Sequence, residues 1–136
     1  MSDPIEIVAG VVRDAEARVL TVRKRATDAF MLPGGKRDPG ENDLEALGRE
    51  LREEIGCRLV LARPLGTFDA DAANEPGRRV RGAIYLVQVE GEPSPAAEIE
   101  EMLWIDPTAP PAARLAPLLE TQVLPALAAQ VSAGVK

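Results

Sequence analysis

The stretch Gly34–Cys57, GGKRDPGENDLEALGRELREEIGC, governs how the rest of the chain is read. From Gly34 to Glu41 it mixes three glycines with charged residues and reads as a loop. Asn42 is a candidate N-cap, and Glu45, three residues on, completes a variant capping box. The helix begun there should run to about Ile55, with Gly56 placed to close it in the left-handed conformation. At about 3.6 residues per turn, Leu44, Leu47, Leu51 and Ile55 fall on one stripe, the expected core face. Glu50, Glu53 and Glu54 share a second stripe roughly 110° away.

Three carboxylates on one face repel one another, and a hard divalent cation turns that repulsion into coordination. Arg49 stands four residues from both Glu45 and Glu53, so it can brace the acidic face or reach back to the loop. An ordinary solvated Glu/Arg-rich helix surface is the competing explanation for the helix taken alone.

Outward from this motif, Ile5–Val12 is a nearly continuous apolar run and reads as a buried strand. Val19–Lys24 reads as its partner strand, after a turn over Arg13–Arg18. Beyond the helix, Cys57–Ala62 and Leu65–Phe68 read as two short strands, Ala70–Arg79 as an exposed loop and Val80–Val89 as a strand. Met102–Ile105 reads as a last short strand. The Ala/Leu-rich tail from Ala112 reads as helical, kinked or divided at Pro117 and Pro125. Strands on both sides of a central helix, with a second helix last, point to an α/β sandwich.

Composition narrows the chemistry. The 136 residues fit a single domain spanning 1–136, and an apolar fraction of 46% is enough for a core. A net charge of −6 argues against a nucleic-acid polymer as partner, although a small positive pocket is compatible with it. With no histidine there is no Ser-His-Asp triad, Cys-His pair or His-ligated zinc, and the single Cys57 builds neither an internal disulfide nor a zinc cluster. Carboxylates, hydroxyls, Lys/Arg, backbone groups, a metal or a cofactor remain. The start Met1-Ser2-Asp3-Pro4 is unlike a secretory signal and no apolar run is long enough for a membrane span, so a cytoplasmic location is expected.

Gly35, Glu41, Arg49, Glu50, Leu51, Glu53, Glu54, Gly56 and Cys57 stand at the spacing G-x5-E-x7-R-E-U-x-E-E-x-G-U, where U is apolar. This resembles the Nudix box, over residues 35–57. The resemblance implies a Nudix-type α/β/α sandwich with a central mixed sheet and a loop–helix–loop catalytic motif. It further implies hydrolysis of a nucleoside diphosphate linked to another group. The glutamates matching Glu50, Glu53 and Glu54 would hold Mg²⁺ or Mn²⁺, with the backbone carbonyl of Gly35. Glu41 and Arg49 match positions that stabilise the motif.

In that scheme a metal-polarised water, deprotonated by a carboxylate, attacks one phosphorus in line. Glu98, in the acidic segment before Trp104, is the expected further ligand or base, unless its acidity is merely that of a surface. Lys36 matches a common phosphate-binding lysine. Of Arg23 and Lys24, which alternate across a strand, one should point inward, and Arg23 is the expected one. Phe30 and Phe68 adjoin loops and are the candidates for stacking on a base, although core roles account for aromatic residues as well. The markers of ADP-ribose-, dinucleoside-polyphosphate- and NADH-type members are not matched. The expected substrate is therefore a nucleoside triphosphate, oxidised dGTP included, with an NDP-sugar or other NDP-linked compound as the alternative. A non-catalytic nucleotide sensor is a further alternative, disfavoured by the intact carboxylates. No membrane partner is expected, and the tail could either cover the core or form a homodimer contact.

Overall fold

A computed structural model describes residues 3–109 and 111–134. Met1, Ser2, Pro110, Val135 and Lys136, which belong to the expected 1–136 domain, lie outside the described residues. The strands are β1 (Ile5–Val12), β2 (Val19–Lys24), β3 (Gly34–Gly35), β4 (Arg58–Asp71), β5 (Arg79–Glu90) and β6 (Ile99–Ile105). Helix α1 (Asp43–Ile55) follows β3, and a π-helical stretch, Leu118–Val123, leads into α2 (Leu124–Gly134).

β1 lies in a mixed four-stranded sheet of order β3-β1-β5-β4, antiparallel to β3 and parallel to β5. Its apolar run from Ile7 to Val12 follows from burial on both faces, complete from Val8 on. Val8 and Val12 join Leu47, Leu51 and Ile55 of α1 in one core cluster. Ala9 and Val11 join Leu119, Val123 and Leu127 of the C-terminal helices in the other. The result is the α/β sandwich that the element pattern predicts and the α/β/α arrangement with a mixed sheet that the resemblance implies.

Several expectations are corrected. β2 does not pair with β1; it forms a two-stranded antiparallel sheet with β6, which begins at Ile99 rather than Met102. Pairing across some 80 residues leaves no mark on the local pattern. The two short strands after α1 are one, because β4 bridges Pro64 with a bulge between Pro64 and Gly66 and a second between Leu59 and Leu61. Leu44 is 48% exposed: it has the direction of the core stripe, but nothing covers that face at the first turn, and Ala46 is buried instead. Finally, Gly34–Gly35 is not loop but a two-residue strand facing Ala9 and Val8.

The tail is helical only from Leu118, not from Ala112, because Leu115 pairs with Phe30 instead. Pro117 stands at the helix N-cap, and the helix passes from π to α at Leu124, beside Pro125. The Leu124 N–H donates to the Leu119 carbonyl, five residues back. This widened turn gives room where a proline ring would otherwise crowd the carbonyl of residue 121.

Candidate active site

Backbone contact between β3 and β1 builds the floor of the site. A Cβ on Gly34, whose φ is +154°, would fall 2.2 Å from the Val8 carbonyl oxygen, so the chain can lie this close only as glycine. A Cβ on Gly35 would fall 2.5 Å from Glu50 Oε2. The Glu50 carboxylate therefore rests directly against the Gly35 backbone.

α1 starts and stops as expected. Asn42 accepts the Glu45 N–H at 2.9 Å, Glu45 accepts the Asn42 N–H at 3.0 Å, and Gly56 closes the helix at φ 71°. Arg49 then ties helix to loop. It donates to both Glu41 oxygens (2.8 and 2.9 Å) and to the Lys36 carbonyl (3.0 Å), while its other arm meets Glu50 at 3.1 Å and Glu53 at 3.4 Å. Glu41 also accepts the Asp38 N–H at 2.7 Å. Hydrogen bonds from Arg49, then from the Asp38 backbone, lower the Glu41 carboxyl to about 2. Hydrogen bonds to Glu41, then to Glu50 and Glu53, hold Arg49 protonated well beyond its ordinary range. Arg49 thus does both things its spacing allowed.

Glu54 is 3% exposed and accepts the Gly34 N–H at 3.1 Å. Burial raises its carboxyl to about 8; the Gly34 N–H and Lys24 work against that rise, and Glu50 and Glu98 add to it. A buried carboxyl flanked by other carboxylates is a place where a cation gains most.

Glu50, Glu53, Lys24, Lys36 and Glu98 all line one cavity of about 400 Å³. Apolar Ile5, Ile7, Leu32, Val80 and Leu118 line it too, as do Asp71 at the end of β4 and residues 72–75 of the β4–β5 loop. Among the described residues no three acidic side chains close on a common point as they stand. The donors nevertheless suit a hard divalent ion: the Glu50 and Glu54 carboxylates lie beside the Gly34–Gly35 backbone, with glycine keeping that approach open, and Glu53 lines the same cavity as Glu50.

The other expected substrate contacts are placed elsewhere. Arg23 turns to Glu101 at 2.9 Å and to the Thr27 carbonyl at 2.8 Å, and Lys24 is the one that lines the cavity. A register shift between Arg23 and Lys24 accompanies this. Phe30 is a buried core residue whose backbone pairs with Leu115, and Phe68 packs half-buried against the α2-side core; neither lines the cavity. Asp43 and Tyr85 were not singled out, yet the Tyr85 hydroxyl donates to Asp43 at 2.6 Å at the edge of the motif. An acidic residue in the first turn of α1 was the available signal for Asp43.

The NUDIX domain family model matches residues 4–127. The chain belongs to the Nudix family. The 8-oxo-dGTP diphosphatase of Haemophilus influenzae is 34% identical over 107 residues, 75% of this chain and 76% of that relative. A Bacillus subtilis relative is 27% identical over 97 residues, 71% of this chain and 63% of the relative. The solution structure of the E. coli ORF135 protein matches with a TM-score of 0.79 and 26% identity, covering 98% of this chain and 94% of that one. As a Nudix hydrolase the chain acts on the diphosphate linkages of nucleotides, and Nudix enzymes generally use a divalent metal. No described helix is long and apolar enough to cross a membrane.

Proposed function

We propose that this Nudix hydrolase converts a nucleoside triphosphate, oxidised dGTP among the candidates, to a monophosphate and pyrophosphate with Mg²⁺ or Mn²⁺. The observation that carries this reading is the make-up of one cavity. Glu50, Glu53, Glu98 and two lysines line it together with apolar residues such as Ile5, Ile7, Val80 and Leu118. The charged lining suits phosphates and the apolar lining a base. The 8-oxo-dGTP diphosphatase relative supports the same substrate class.

Glu50, Glu53, Glu54 and the Gly35 carbonyl would hold the metal, which when bound would offset diphosphate charge and acidify the attacking water. The remaining work falls to the chain. Lys36 and Lys24 draw the phosphate oxygens into an otherwise acidic site. Arg49 holds Glu50, Glu53 and the loop at fixed spacing without lining the cavity itself. Glu98, whose carboxylate lies 3.8 Å from Lys24, accepts the proton of the attacking water or adds a ligand.

An NDP-linked compound is the second reading. A second hollow of about 630 Å³, lined by Asp28 and Arg114, adjoins the first through Ala73 and Asn74 and would take a bulky distal group. A panel of nucleoside triphosphates, 8-oxo-dGTP, ADP-ribose and NDP-sugars, with products read by phosphorus NMR, separates the two. Pyrophosphate released from a triphosphate supports the first reading, and cleavage confined to NDP-linked compounds replaces it with the second. Binding without turnover across the whole panel contradicts both and favours a sensor.

A further inference from the structure

Lys36 lines the cavity although it stands on an exposed stretch of loop, where a lysine has several rotamers open to it. Its backbone carbonyl is gripped by Arg49. Its neighbour Arg37 is also held. Arg37 Nε donates to Asp43 Oδ1 at 2.6 Å, and Asp43 Oδ2 accepts the Tyr85 hydroxyl at 2.6 Å. Glu6 of β1 stands 3.9 Å from the same guanidinium.

Tyr85 lies on β5, a central strand, with its ring packed against the α1-side core. Asp43 is the first residue of α1. Both Asp43 oxygens are therefore engaged by groups anchored in different elements. We propose that the Tyr85–Asp43–Arg37 chain is a positioning device for Lys36. By holding Arg37 toward the sheet, it directs the adjacent Lys36 into the cavity, where the ammonium meets the diphosphate. Tyr85 and Arg37 are positioning residues, acting through Lys36 and touching no substrate.

The strength of the link is visible in the Asp43 carboxyl, which the Tyr85 hydroxyl and then Arg37 hold below its ordinary range. Such charge-assisted, two-sided hydrogen bonding restricts a side chain more than a single neutral bond does. The inference rests on reading the cavity as a diphosphate site, so its test uses binding rather than turnover.

Calorimetry with inorganic pyrophosphate and Mg²⁺ would be run on the native protein, Arg37→Ala, Tyr85→Phe and Lys36→Ala, and on the two double variants with Lys36→Ala. Arg37→Ala should weaken binding about tenfold, and Tyr85→Phe, which removes one hydroxyl and keeps the ring, about threefold. In the Lys36→Ala background both losses should shrink to within about 1.5-fold. Equal losses in the two backgrounds would overturn the proposal, since they mark a role that bypasses Lys36. So would native affinity in the single variants, or a native protein that fails to bind pyrophosphate. If the non-additivity appears in a protein that hydrolyses no nucleotide, the positioning role stands and the hydrolytic reading of this chain falls.

Discussion

Burial of the Glu54 carboxyl works against its charged form in the folded state. In the metal-free protein this carboxyl titrates near 8 instead of 4.5, so the folded state holds the extra proton between those values. Stability is therefore complete below about pH 4.5 and is lost as pH rises toward about 8. Glu54→Gln removes that slope: urea unfolding of metal-free protein should show the variant gaining on the native chain from pH about 5 to about 9. Identical pH slopes would contradict the assignment. Because the ion competes with this proton, Mg²⁺ should bind more tightly across the same rise in pH. Gly35 offers a second test at one atom. The methyl of Gly35→Ala meets the terminal carboxylate of Glu50 rather than backbone, so the thermal midpoint should move little. Magnesium affinity should nevertheless fall by about 10- to 100-fold, readable by calorimetry, because Glu50 is pushed off the glycine.

Helix α1 is the element most legible in the sequence, and the reason is local. Its caps, Asn42 with Glu45 at one end and Gly56 at the other, act on backbone within a few residues of themselves. Asn42→Ala should accordingly cost about 1 kcal/mol in denaturant unfolding, and an unchanged midpoint would mean the cap is not formed in solution. Features set by distant partners were not legible. The β2–β6 pair joins segments far apart in sequence, and β4 runs on through Pro64 only because bulges re-aim it against β5. The strand alternation of Arg23 and Lys24 gave the correct dilemma without its answer. The answer depends on the shift in register opposite Glu101 and Ile99, a property of the β2–β6 pair. Leu44 shows the same limit, since helical spacing gives a side chain its direction but not what lies opposite it.

At the scale of the molecule, β1 separates two cores, one under α1 and one under the C-terminal helices, and the cavity opens at the end where Gly34 and Gly35 join it. This arrangement explains how a chain of net charge −6 can hold an anionic substrate. Glu50, Glu53 and Glu98 line one cavity, and Lys24 and Lys36 line the same cavity from different segments. The box residues were readable because their spacing on one helix is also their arrangement in space. The apolar lining was not, because Ile5, Val80 and Leu118 come together only through the sheet and the tail. Chelation of divalent metal should abolish turnover and restoration of Mg²⁺ should recover it, followed as pyrophosphate release. The most direct test of the carboxylate-centred account compares native protein with Glu54→Gln, fed a nucleoside triphosphate and Mg²⁺ and followed by phosphorus NMR. The account predicts a monophosphate and pyrophosphate from the native chain and a loss on the order of 10²-fold or more in the variant. A Glu54→Gln protein that turns over at the native rate, with the same metal dependence, would contradict it.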